Sequence, residues 1–281
     1  SPSLSEAMDE QGLRADAIRH PEMCRMVLRV LDGRLDAAVY STVEDNSLVY
    51  RSIALDASAP TPLKALEEAL YANPLLVQDN FDRTTVLVDT PRMVLVPKGE
   101  AQAAEEALER LYPELDADVV TTQVRGGAAL GMAVEQDLTG FLRRTFATAQ
   151  ITHRLVPLCN YFGVRGRMGT ADRMHVHLHE GHTDIVAYSG DELLMANTFV
   201  TPEAMDTVYY TLAAAKQLGY DNSTDRMLLS GDAGPREEVL PTLRRYISHA
   251  MPAIFPSALF RLGKDAMTVP LEMLATQIAE I

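Results

Sequence analysis

The sequence predicts an α/β protein made by duplication, with two mixed-sheet domains flanking a cleft. Three observations carry that reading. The chain has 281 residues, about twice the roughly 100–150 of a common domain. Residues 26–40, MVLRVLDGRLDAAVY, lie on residues 174–188, MHVHLHEGHTDIVAY, at a constant offset of 148 and without a gap, and Met26/Met174, Gly33/Gly181, Asp36/Asp184 and Tyr40/Tyr188 are identical. After each copy the same kinds of segment recur in the same order, and a duplication decides architecture before any local pattern does.

Each copy opens as a strand, a tight turn at its glycine and a second strand. Leu28/Val176 and Val30/Leu178 are apolar, Arg29/His177 and Arg34/His182 are basic, and Asp32/Glu180 is an acid just before the glycine. The first copy continues with the strand LVYRSIAL (48–55), a helix from 62 to about 72 and the strand TTVLVD (84–89); the second with ELLMANTFV (192–200), a helix from 202 to about 218 and RMLLSG (226–231). Runs rich in β-branched and aromatic residues read as strands. Pro62 and Pro202 stand at first-turn positions, where a missing N–H costs nothing.

The first copy is the longer. It adds the strand MVLVP (93–97), a helix over 101–112, strands over 118–124 and 128–134 joined by a turn at Gly126-Gly127, and a helix over 137–146. The second adds a helix over 235–247 that Pro241 should kink or end early. A last amphipathic helix, 270–281, puts Leu271, Leu274, Ile278 and Ile281 on one face, a stripe expected to dock on the body. The expected division is an N-terminal segment 1–22, a first domain 23–167, a second domain 168–269 and the C-terminal helix 270–281, with no flexible linker between the copies.

Composition excludes several classes. With 47% hydrophobic and 23% charged residues, and no apolar run near the roughly 18 residues a bilayer needs, a globular protein without a membrane span is expected. Acidic residues outnumber basic ones 39 to 25, for a net charge of −14, and the basic residues cluster no further than Arg143-Arg144 and Arg244-Arg245. Nucleic acid and anionic lipid are therefore poor partners. The two cysteines, Cys24 and Cys159, lack CxxC spacing, so no disulfide framework or thiolate metal site is expected and a cytoplasmic compartment fits. Cys159, within the apolar LVPLCNYFG, reads as a buried inert thiol. The opening SPSLSEAMDEQGLRADAI shows no export signal, and its missing Met suggests a removed start.

The duplicated hairpin, each copy followed by strand, helix and strand, resembles the actin-like ATPase (ribonuclease H-like) fold of actin, Hsp70, the sugar kinases and the bacterial cell-division and pilus-assembly actin homologues. The resemblance implies that each hairpin turn would carry a phosphate loop of form D-I-G-G-G-T-T-D, whose leading Asp holds the Mg²⁺ water shell. Here the loop becomes Arg29-Val30-Leu31-Asp32-Gly33-Arg34-Leu35-Asp36 and His177-Leu178-His179-Glu180-Gly181-His182-Thr183-Asp184. Both leading acids are basic, and Asp32 and Glu180 set negative charge where phosphate would enter. The fold's adenosine loop has a partial match at Leu229-Ser230-Gly231-Asp232-Ala233-Gly234, which reads more readily as a generic turn. The hairpin spacing, MVLVP, HTDIVAY and LLSGDAG are similar to an uncharacterised bacterial group, domain-of-unknown-function family 3822, over about residues 24–270. That resemblance implies the fold and carries no catalytic residue with it.

The expected function is a degenerate, non-hydrolysing binding or scaffold protein, a pseudo-enzyme with no catalytic residue and no resident cofactor. Its partner would be a protein, and its oligomeric state is open. Arg29, Gly33, His177, Gly181 and Gly231 would line the cleft, and with Arg34 and His182 they suit an anion lacking magnesium. The alternative is an ATPase or small-molecule kinase using ATP or ADP in that cleft, which the lost acids and glycines disfavour. A second alternative is a metal protein. HVHLHEGH holds His175, His177, His179 and His182, four of the chain's seven histidines, and the first three share a strand face with Cβ atoms about 6–7 Å apart. Neighbouring side chains on one strand splay, so histidines lining a sheet face or interdomain cleft are favoured over a zinc site. No G-x-S-x-G supports a hydrolase triad, and Asp36 and Asp184 suit turn or strand hydrogen bonding.

Overall fold

The computed structural model describes residues 8–9, 12–166 and 172–278. A two-residue pair, β1 (Met8–Asp9) and β2 (Gly12–Leu13), precedes the first hairpin, β3 (Cys24–Leu31) and β4 (Arg34–Ser41). The chain continues through β5 (Val49–Ala54), α1 (Pro62–Tyr71), β6 (Arg83–Val88), β7 (Met93–Pro97), α2 (Ala101–Leu111), β8 (Ala117–Val124), β9 (Ala128–Glu135), α3 (Gln136–Thr145), β10 (Gln150–His153) and α4 (Leu155–Gly166). The second half runs β11 (Asp172–His179), β12 (His182–Ser189), β13 (Glu192–Val200), α5 (Ala204–Gln217), β14 (Arg226–Gly231), α6 (Ala233–Leu243), β15 (Ala250–Pro252) and, after two short 3₁₀ turns, α7 (Leu271–Ile278).

The duplication is visible in the sheets. Their orders are β10-β6-β3-β4-β5 and β15-β14-β11-β12-β13, strand for strand the same. In both, the three hairpin-linked strands are antiparallel and the other two join in parallel. The three-stranded sheet β7-β9-β8, with α2 packed on it, is inserted between β6 and β10 of the first half only.

Both central strands are covered on both faces, which is why they read as nearly continuous apolar runs. From β3, Met26, Leu28 and Val30 enter a core with Leu66, Leu70 and Leu76. Val27, on its other face, meets Leu259, Leu262, Met273 and Leu274 of the C-terminal segment. From β11, Met174, Val176 and Leu178 join Val208, Leu229 and Leu243. The polar residues of these strands, Arg29 and His175, His177 and His179, occupy the opposite face. Helix α4 follows β10 as α7 follows β15, and the two helices pack against each other.

Several expectations need correction. Pro202 lies outside its helix, whose start is instead fixed by reciprocal bonds between Glu203 and Asp206. Pro62 does take the first helical position, behind a Thr61 hydroxyl that accepts the Lys64 N–H. The helix expected over 235–247 begins earlier and runs through Pro241 to Leu243; a proline in the last turn removes a single i−4 bond, so the helix ends early rather than breaking. Among the α7 residues whose burial is described, Glu272, Met273, Leu274 and Ala275 are buried, so its docked face is not the purely apolar stripe expected; the side chain of Ile278 is not described. Ile281 lies outside the described residues. Among the described residues no helix is long and apolar enough to cross a membrane.

Candidate functional site

The hairpin registers set equivalent residues opposite one another. Arg29 faces Asp36, which faces Ser52 on the third strand; His177 faces Asp184, which faces Thr198. Each aspartate, buried at 0% exposure, accepts a hydroxyl from that third strand, Ser52 at 2.7 Å and Thr198 at 2.8 Å. The repeated aspartates thus brace their own sheets.

Each half then receives a charge from the other. Arg154 stands immediately before α4, the last helix of the first half, and reaches into the second, donating to both Asp184 oxygens at 2.6 and 2.8 Å and pairing with Asp89 at 2.8 Å. Glu272, in the first turn of α7, reaches into the first half, where Arg29 donates to its Oε1 at 2.5 Å. Its Oε2 lies 3.2 Å from His177 Nε2. Arg29 also donates twice to Asp36, at 2.9 and 2.6 Å. His177 Nδ1 is 2.8 Å from the Ser230 hydroxyl, and His179 Nε2 is 2.7 Å from Asp184. The result is two almost wholly buried charge clusters, each bridging the halves, that meet where the His177 and His179 rings touch.

Burial opposes the charges of Asp184, Glu272, His179, Arg29 and Arg154, and their partners outweigh it. Against that penalty, Arg154 and His179 hold the Asp184 carboxyl well below the usual carboxylate range. Glu272 is likewise held far down, chiefly by the His177 hydrogen bond and Arg29. Asp184 raises His179 against its burial, favouring the imidazolium, while Glu272 and Asp36 raise Arg29.

The expected cleft residues do not act alike. Arg29 and His177 meet at Glu272. Gly33 and Gly181 make the hairpin turns at φ +72° and +76° with open space around them, at the exposed ends beside Asp32 and Glu180. Gly231, at φ +96°, is pressed onto Leu178: a Cβ there would lie 2.1 Å from the Leu178 carbonyl oxygen. Arg34 is half-exposed and 3.1 Å from Asp36; His182 is exposed at its turn. Of the strand histidines, His175 is set apart, its ring stacked on Phe162 at 4.0 Å. Among the described residues, His177, His179 and Glu272 bring three ligand atoms within 4.8 Å of one another. Cys159 is buried, and burial pushes its thiol up to about 12.

A magnesium nucleotide, which the fold family implies, does not suit these residues. The leading-acid positions hold a guanidinium and an imidazole, and the carboxylate of the chain's own α7 already sits between them, where an incoming phosphate would be repelled. Ser230, in the partial adenosine loop, is engaged by His177. A separate surface cavity of about 300 Å³, lined by Lys98, Arg125, Gly127, Gly163, Tyr188 and Asp191, contains none of the residues of these clusters.

Glu272 and Arg154 escaped sequence reasoning. The available signal was weak: a lone acid inside the apolar face PLEMLA, and a lone Arg at the entry to the apolar LVPLC.

Comparison with known proteins agrees with the architecture. Residues 15–250 match the family described as "Protein of unknown function (DUF3822)". A crystal structure from Bacteroides thetaiotaomicron VPI-5482, described as a protein with actin-like ATPase fold and unknown function, is 19% identical with a TM-score of 0.76, covering 92% of this chain and 98% of that one. A PilM–PilN type IV pilus biogenesis complex aligns at 15% identity and TM-score 0.48, over 92% of this chain and 99% of that one. An activator of 2-hydroxyisocaproyl-CoA dehydratase from Clostridium difficile, with bound ADPNP, aligns at 10% and 0.43, over 92% and 96%. No curated protein matches.

Proposed function

Because the chain belongs to the DUF3822 family of proteins of unknown function and has the actin-like ATPase fold, we propose that it is a non-hydrolysing member of that fold, a two-lobed binding or scaffold protein. The observation that carries this reading is the place of Glu272. Its carboxylate is held by Arg29 from the first half and His177 from the second, at the two positions where the fold's nucleotide enzymes need acids. A nucleotide could enter only if α7 left, abandoning Met273, Leu274 and Ala275, all fully buried, and stripping a buried Arg of a partner. With a net charge of −14, a protein partner is favoured over nucleic acid.

The test is the thermal midpoint of tag-free protein with ATP, ADP and AMP, each with and without Mg²⁺. A ligand at 100 times its Kd adds about 2.7 kcal/mol, and the expected shift is none. Magnesium-dependent turnover that is lost on substituting Arg29 or His177 would overturn the proposal in favour of an ATPase or small-molecule kinase.

A further inference from the structure

We propose that His177, His179 and Glu272 form a site for one zinc-like divalent ion between the two halves of the molecule. The third ligand is a glutamate 95 residues away from His177, not the remaining histidine of the strand pattern, His175. The inference is independent of the nucleotide reading.

One edge of the site already has the spacing such an ion needs. The three ligand atoms fall within 4.8 Å of one another. His177 Nε2 and Glu272 Oε2 are 3.2 Å apart, against an edge of roughly 3.3 Å for a tetrahedron with bonds of about 2.0–2.1 Å. Arg29 occupies the other carboxylate oxygen, Oε1, and so leaves Oε2 turned to the imidazole. Ser230 bonds His177 Nδ1 at 2.8 Å, the outer contact by which ligating imidazoles are oriented. The His179 ring stands edge-on to that of His177, with centroids 4.5 Å apart.

To ligate, His179 turns away from Asp184, which keeps both Arg154 N–H groups and the Thr198 hydroxyl. The His179 side chain is 18% exposed, a route for the ion from solvent to a site whose other two ligands are sealed, and water can take the fourth position. Charge also favours a cation. Among the fully buried groups, the carboxylates of Asp36, Asp184 and Glu272 face the guanidiniums of Arg29 and Arg154, with His179 beside Asp184 and His177 beside Glu272. At the edges, part-exposed Arg34 and Asp89 offset each other. With both imidazoles neutral, as ligation requires, one negative charge is left for the ion to balance, and the ion would displace any proton carried by His179. Two imidazoles and a carboxylate select zinc, cobalt or nickel over magnesium or calcium.

The test is calorimetric titration of tag-free, EDTA-stripped full chain with Zn²⁺, together with the visible spectrum of the Co²⁺ form. One ion per chain and a tetrahedral cobalt band are expected. H179Q should weaken binding at least tenfold and abolish that band, E272Q should do the same, and S230A should weaken binding by about 10–100-fold. H179Q changes the part-exposed ligand, so it decides the matter should E272Q fail to fold by circular dichroism. No binding overturns the proposal. So does binding unchanged in H179Q, which would place the ion on the surface at His20, His182 or His249.

Discussion

His153 shows how one side chain's hydrogen bonds fix its protonation. Its Nε2 lies 2.8 Å from the Thr90 carbonyl, which only an N–H can satisfy, and its Nδ1 accepts the Leu155 N–H at 3.0 Å. Both nitrogens are thus satisfied by the neutral ring. Burial first, then the adjacent Arg154, push its pKa down to about 4. Above about pH 6.5 the folded and unfolded chains both hold His153 neutral. As pH falls toward 4 the unfolded chain gains a proton that the folded chain refuses, so stability drops by at most about 3 kcal/mol across that window. Urea unfolding at pH 7, 5.5 and 4.5 should show the loss, and H153Q should flatten it; an unchanged slope in H153Q would refute this origin. Residue-level legibility was uneven. Arg29 and His177 could be found because the repeat aligned them. Glu272 could not: its partner Arg29 is 243 residues away, and nothing local distinguishes a buried acid from one facing water.

Among the elements, the glycines separate two roles that the sequence made look alike. Gly33 needs positive φ for its turn but has room for a methyl group, whereas Gly231 lies against the Leu178 backbone. Gly33→Ala should therefore cost about 1–2 kcal/mol, the penalty of a left-handed alanine. Gly231→Ala must in addition push β14 away from β11 and should cost clearly more, read as a larger drop in urea midpoint. Equal losses would refute the distinction. The hairpins, β7, β13 and β14 were legible to within a residue or two, since their apolar runs end at glycine, proline or charge. The edge strands β10 and β15 were not, because three or four residues joined to one neighbour carry too little pattern to stand out from loop.

For the whole molecule, the reciprocal reach of Arg154 and Glu272 makes the halves interdependent. Removing one partner of a buried ion pair typically costs about 3–5 kcal/mol, because the other charge is left without compensation. E272A should lose that much in chemical unfolding, while the wild-type chain should melt in a single calorimetric transition; two resolved wild-type transitions would show the halves to be independent. The architecture at this scale was read well from sequence, since a repeat with conserved order constrains strand order strongly. What bridges the repeats was not, because contacts between copies leave no periodicity in either.

The same 243-residue separation has a consequence for how the protein is made. At roughly 5–20 residues per second of synthesis, Arg29 is polymerised about 12–50 s before Glu272. Through that interval the first hairpin presents a guanidinium matched only by Asp36 and an uncovered apolar face around Val27. Until α7 emerges the nascent first half lacks both of these covers, and a stop codon upstream of Leu271 would leave them missing for good.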